Sequence, residues 1–94
     1  MEKLSEQQIT EALKSLPGWG YTEGSIKKVF RTQNFPATMG FVTAAGGFFQ
    51  FLNHHPDYIL MKYKEIEISF STHSVGGVTQ NDIDIASDLE KILL

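Results

Sequence analysis

The sequence predicts an α+β fold in the order α-β-β-α-β-β-α, with a four-stranded antiparallel sheet covered on one face by helices. Three observations carry this. Capping signals at Ser5-x-x-Gln8 and Thr79-x-x-Asp82 open two stretches with helical apolar spacing, and a third, largely apolar stretch begins at Phe35-Pro36. Between the helices lie two pairs of short strand-like segments. Each pair is joined by too few residues for a crossover, which leaves antiparallel pairing. The 94 residues fit one domain, 1–94.

In the first helix Ile9, Ala12, Leu13 and Leu16 recur on one face, and Pro17-Gly18 stops it. Trp19–Thr22 reads as a short strand, Glu23-Gly24 as its turn, and Ile26–Thr32 as the returning strand. The second helix runs from Phe35-Pro36, where proline is tolerated in the first turn, to near His54. Pro56 disfavours helical backbone at His55. This helix is apolar around most of its circumference, so it should be covered on two sides. One face would lie on the sheet. The other, with Gly40, Ala44 and Gly47, would pack against another subunit. Tyr58–Met61 is the third strand and Ile66–Ser71 the fourth, with Ile66, Ile68 and Phe70 alternating against Glu67, Ser69 and Ser71. His73 should point with Ser69 and Ser71. Gly76-Gly77 forms a loop. Ile85, Ala86, Leu89, Ile92 and Leu93 form the apolar stripe of the last helix.

Composition narrows the function. The hydrophobic share of 41% and charged share of 20% are those of an ordinary globular protein. Cysteine is absent, which excludes disulfides, thiolate metal sites and a thiol nucleophile, and agrees with a cytoplasmic setting. A net charge of -3 argues against direct nucleic-acid binding. The start, Met1-Glu2-Lys3-Leu4-Ser5-Glu6, is too charged for a secretory signal. No Lys, Arg, Asp or Glu occurs between Arg31 and Asp57, so the second helix is long enough on paper to span a bilayer. The rest of the chain reads as a compact domain outside the membrane.

All three histidines fall in two short segments, Asn53-His54-His55-Pro56-Asp57 and Ser71-Thr72-His73-Ser74. Histidine is the side chain that exchanges protons near neutrality, so such a set points to acid–base chemistry. His54 would lie in the last turn of the second helix, where the carbonyls favour a cation. His73 would reach the same region from the fourth strand, and Asp57 could orient one ring. Two other readings stand beside this one: three polar surface histidines, and a three-histidine zinc site, against which adjacent ligands and the absence of i,i+4 spacing count. Trp19 reads by default as a core aromatic, Phe48, Phe49 and Phe51 as core or interface, and Glu65 and Glu67 as solvated strand residues. Ser71 has no evident base partner for a nucleophilic role.

His54-His55-Pro56, an aromatic at Tyr63, His73, Gly76-Gly77, Thr79 and Asp82 resemble the pterin-4a-carbinolamine dehydratase family. So do Gly18-Trp19, Phe30-x-x-x-x-Phe35 and Asp82-x-x-x-Ala86, so that the likeness covers nearly the whole chain. The resemblance implies loss of water from 4a-hydroxytetrahydrobiopterin to give quinonoid dihydropterin, recycling the cofactor of aromatic amino acid hydroxylases. It implies His54, His55 and His73 as catalytic residues, and Asn53, Pro56, Asp57, Ser71, Thr72, Ser74 and Trp19 beside them at the pterin. It implies neither metal nor dissociable cofactor, and a homodimer or homotetramer built through the second helix and a sheet edge. The alternatives are a weakened member serving as a protein-binding dimerisation module, or one acting on another pterin. The chain departs from the family at Gln50, four residues before His54, where a charged residue is usual. On a continuous helix that residue would touch His54.

Overall fold

The computed structural model describes residues 2–92 and has the element order read from the sequence. Helix α1 (Glu6–Leu13) opens with a reciprocal capping box: Ser5 Oγ accepts the Gln8 N–H at 3.1 Å, and Gln8 Oε1 accepts the Ser5 N–H at 2.8 Å. The regular helix stops at Leu13, before the last residue of its predicted stripe. The Leu16 N–H turns back to the Leu13 carbonyl at 3.0 Å, and this tighter turn still delivers Leu16 to the core.

Strands β1 (Gly20–Thr22) and β2 (Ser25–Arg31) form a hairpin with both turn residues at positive φ, Glu23 at 51° and Gly24 at 81°. That left-handed pair matches the twist of the flanking strands. Strands β3 (Tyr58–Met61) and β4 (Glu65–Phe70) form the second hairpin. The sheet order is β1-β2-β4-β3, all antiparallel, with Ile26 opposite Phe70 and Phe30 opposite Ile66. These two pairs, with Ile68, face the helices and join Ile9, Phe49, Ile85, Ala86 and Leu89 in one buried core. A 3-10 turn (His73–Val75) separates β4 from helix α3 (Gln80–Ile92). Leu93, assigned from the sequence to the stripe of the last helix, lies outside the described residues.

Helix α2 (Phe35–Leu52) is capped by Asn34, whose Oδ1 accepts the Ala37 N–H at 2.9 Å. By length and composition it is apolar enough to cross a membrane. In the fold it lies along the sheet through Thr38, Ala45 and Phe49, a single stripe at helical spacing, and leaves Phe35, Met39, Phe51 and Leu52 outward. Its end differs from expectation. The helix finishes at Leu52, and Asn53 takes left-handed backbone (φ 54°, ψ 38°). The Asn53 N–H bonds the Gln50 carbonyl at 3.1 Å and the His54 N–H bonds the Phe49 carbonyl at 3.2 Å, the paired closure of a Schellman motif. Asparagine tolerates this conformation, so the helix ends before the restriction imposed by Pro56 is felt. His54 therefore lies beyond the helix and not in its last turn.

If the role of Asn53 is to supply left-handed backbone, Asn53→Gly should leave the urea midpoint equal or higher. Asn53→Val should lower stability by about 1–2 kcal/mol, the cost of a side chain with a branched Cβ at positive φ.

Candidate active site

The site is built on the end of β4, where side chains alternate between the two faces of the sheet. Phe70 and Thr72 turn to the helical side. Ser69, Ser71 and His73 turn to the other. Each set meets its own carboxylate.

On the helical side the acceptor is Asp82 in the first turn of α3, with a side chain 0% exposed. Its Oδ2 accepts the Thr79 N–H at 2.9 Å, the capping role read from the sequence, and the Thr72 hydroxyl at 2.8 Å. Because Thr72 gives its only hydroxyl proton to Asp82, the 2.8 Å contact between the Thr72 and Thr79 hydroxyls is donated by Thr79. The other oxygen, Oδ1, faces His54 Nε2 at 2.7 Å. The His54 ring also stacks on Phe70, 6.0 Å between centroids and 13° between planes. A packed ring face and a buried acceptor together fix this imidazole, with Nε2 turned inward and Nδ1 free of hydrogen bonds among the described residues.

On the opposite side the acceptor is Asp57, which immediately precedes β3 and is tied to β4 by its N–H to the Ser69 carbonyl at 2.7 Å. Oδ1 takes the Ser71 hydroxyl and His73 Nε2, the latter at 2.9 Å. Oδ2 takes the hydroxyls of Ser69 at 2.8 Å and Ser25 at 3.1 Å. Partial burial alone would raise the Asp57 carboxyl. The donors Ser71, His73, Ser69 and Ser25 outweigh it and hold the group below its ordinary value. Facing an ionised carboxylate, His73 Nε2 carries the proton and Nδ1 is the open nitrogen.

The third ring, His55, meets Gln50 Oε1 through Nε2 at 3.0 Å. This corrects the expected pairing of Gln50 with His54. The left-handed Asn53 breaks the i,i+4 relation, sends His54 to α3 and brings His55 back over the last helical turn. All three imidazoles are thus anchored at Nε2, two by carboxylates and one by a neutral amide.

His54, His55, Pro56, Ser71, Thr72, His73 and Ser74 line one open depression of about 240 Å³. It is somewhat smaller than the typical ligand pocket of about 300–1,000 Å³. A larger groove of about 660 Å³ runs between β2 and α2 past Lys28, Phe30, Arg31 and Phe41, and no histidine lines it.

Other residues singled out in the sequence lie elsewhere. Trp19 is 6% exposed in the core, packed against Phe30 and Phe70, with its indole N–H on Glu90 Oε1 at 2.9 Å. It does not line the depression. Asn53 borders a neighbouring hollow with Asn81, Asp84 and Asp88, which shares His54 with the depression. Tyr63 lies at the far end of β3, stacked on Phe35, with its carbonyl accepting the Thr38 hydroxyl at 2.9 Å. Asp57 lies under the site with both oxygens occupied. Glu65 and Glu67 are paired with Arg31 and Tyr58. Three site residues had no functional reading in the sequence. Asp82 was legible only as a cap. Ser69 is buried although it belongs to the polar face. Ser25 is brought in by the β2–β4 register, one residue beyond the Ile26–Phe70 pair.

Comparison with known proteins gives a consistent neighbourhood. The family model described as pterin 4 alpha carbinolamine dehydratase matches residues 2–92. A Chloroflexus aurantiacus protein named "Putative pterin-4-alpha-carbinolamine dehydratase" is 36% identical over 93 residues, covering 99% of each chain. A Prochlorococcus marinus protein of the same name is 39% identical over 89 residues, covering 95% of this chain and 92% of its own. Among solved structures, a transcriptional coactivator/pterin dehydratase from Brucella melitensis superposes with a TM-score of 0.90 at 31% identity, covering 97% and 98% of the two chains. A pterin dehydratase-like protein described as a RuBisCO assembly factor of the alpha-carboxysome shares the fold alone, with a TM-score of 0.66 at 14% identity over 78% of this chain and 83% of its own.

The Asp57 cluster makes a pH-dependent contribution to stability. The folded carboxyl is lowered, so its contribution is full above the ordinary aspartate value of 3.8 and is lost as pH falls through the lowered folded value. The gap in urea midpoint between wild type and Asp57→Asn should therefore be wide at neutral pH and close as the medium is acidified below that value. An unchanged gap would show that the four donors do not stabilise the charge.

Proposed function

Because this chain belongs to the pterin 4 alpha carbinolamine dehydratase family, we propose that it removes water from a 4a-hydroxytetrahydropterin, releasing quinonoid dihydropterin for reuse as the cofactor of aromatic amino acid hydroxylases. The observation that carries this reading is the convergence of His54, His55 and His73 on one depression, each ring anchored through Nε2 and none with a hydrogen bond at Nδ1 among the described residues. In the reaction the lone pair of the pterin nitrogen next to C4a forms the C=N bond as the C4a–O bond breaks. The hydroxyl leaves as water after taking a proton from an acid, and a ring N–H gives its proton to a base. Each properly placed acid or base contributes about 10²–10⁴-fold.

The anchors divide these tasks. A ring already using Nε2–H for its anchor donates through Nδ1 only as imidazolium. That charge is compensated beside Asp82 or Asp57, whereas the Gln50 amide offers His55 none. The exposed, carboxylate-backed His73 is therefore assigned the acid and His55 the base, with the packed His54 as a second acid or an orienting group. Ser71 and Thr72 have given their hydroxyl protons to Asp57 and Asp82, so toward a ligand they act as acceptors. No step needs a metal or redox cofactor, and a cytoplasmic setting suits the cysteine-free chain.

The test is the dehydration rate of chemically generated 4a-hydroxytetrahydropterin with purified protein. A rate equal to buffer alone would end the proposal. His55→Ala and His73→Ala should each lower kcat by about 100-fold or more while circular dichroism stays native.

We also infer self-association, as homodimer or homotetramer, through α2 and the β3 edge. Support comes from Phe35, Met39, Phe51 and Leu52 on α2 and Leu60 and Met61 on β3, all large and apolar and all exposed in the single chain. Phe51 is 84% exposed. Phe51→Glu should shift the sedimenting species toward monomer, whereas an unchanged distribution would remove that residue from any interface. The same surface favours the second reading, a protein-binding module, which a native oligomer without dehydratase activity would support.

A further inference from the structure

We propose that Asp57 is the positioning residue for His73, fixing the direction of its ring and keeping a proton on Nε2. The proposal deepens the dehydratase reading, on which its kinetic arm rests.

The argument begins with the difference between the two carboxylate-anchored histidines. The His54 side chain is 19% exposed, stacked on Phe70 and backed by α3, so packing alone would restrict it. The His73 side chain is 80% exposed and lies on a three-residue 3-10 turn. Among the described residues, its only ring hydrogen bond is the 2.9 Å contact to Asp57 Oδ1. Without that bond the ring has the rotational freedom of a surface histidine. Catalysis by a group that must meet one substrate atom cannot tolerate such freedom, because effective molarity depends on holding the geometry.

Asp57 itself is unsuited to touching substrate. A carboxylate offers about four acceptor positions, and Ser25, Ser69, Ser71 and His73 fill them. What the cluster does is immobilise the carboxylate. Ser25 comes from β2, Ser69 from β4 and Ser71 from the residue that follows β4, and the Asp57 N–H is held by the Ser69 carbonyl. Three hydroxyls from two neighbouring strands and their continuation leave the fourth position aimed at the 3-10 turn. The rigidity of the sheet is thereby passed to an exposed ring through one side chain. Because the acceptor is ionised, it also requires a proton on Nε2 and leaves Nδ1 without a hydrogen-bond partner among the described residues.

The experiment has two independent arms. In the first, histidine-labelled wild-type protein is examined by long-range ¹H–¹⁵N spectroscopy near neutral pH. The His73 nitrogens should report a single anchored form protonated at Nε2 and should move toward the values of free histidine in Asp57→Asn. Nitrogens that already match free histidine in the wild type would overturn the proposal, and this measurement needs no variant to fold. In the second arm, Asp57→Asn should lower kcat by about tenfold or more with KM changed far less, and Asp57→Glu should recover part of the loss. In a His73→Ala background the same Asp57→Asn change should cost nothing further, because the residue it positions is gone. An equal loss in both backgrounds would assign Asp57 a purely structural role and overturn the proposal. A wild-type protein without dehydratase activity would defeat the functional reading, while the nitrogen spectra would still decide the role of Asp57.

Discussion

The strict two-residue period of β4 is the constraint on which the site depends. A strand cannot send neighbouring side chains to the same face, so Phe70 and Thr72 are committed to the helical layer, and Ser69 and Ser71 to the bare face. The turn that follows keeps His73 in step with the second set. A carboxylate waits on each side, Asp82 from α3 and Asp57 from the approach to β3. The depression therefore straddles the end of the sheet. Neither layer of the fold could supply the three rings alone, and shifting β4 by one residue would exchange the partners of both acids.

Both carboxylates are enclosed without being orphaned, and that keeps the arrangement affordable to the fold. Removing charge from water is costly unless hydrogen bonds replace the lost solvation. Asp82 regains them from a helix N-terminus and a threonine hydroxyl. Asp57 regains them from three serines and a histidine. No buried side-chain polar atom among the described residues lacks a partner. The polar network is thus complete before any ligand arrives, and it spends the protons of Ser71 and Thr72 in being so.

Much of the fold was legible because its signals are local. The Ser5 capping box, the Glu23-Gly24 turn and the alternation of Ile66, Ile68 and Phe70 each need only a few residues to be recognised. The clustering of histidines was equally plain. What could not be read was whatever depends on contacts across the chain. Gln50 was expected beside His54 because the helix was expected to continue. One left-handed asparagine redirects both histidines, and asparagine carries that option without declaring it. Asp82 was visible as a cap, but a cap uses one oxygen and the sequence is silent on where the other points. Trp19 and Tyr63 matched a family pattern, and the fold puts both away from the depression, Trp19 in the core with its indole N–H on Glu90 and Tyr63 at the surface against Phe35. Ser25 needed the pairing of two strands far apart in sequence.

The left-handed residue that closes α2 works as a swivel between two parts of the molecule under different demands. Upstream of it, the helix displays apolar side chains whose identity matters to whatever lies against them. Downstream, the imidazoles take their bearings from Asp82 and Gln50 and not from the helical screw. Substitutions on the outer side of α2 can therefore alter what that face displays without turning the rings that follow. The exposed surface of the helix and the geometry of the depression are uncoupled by one residue.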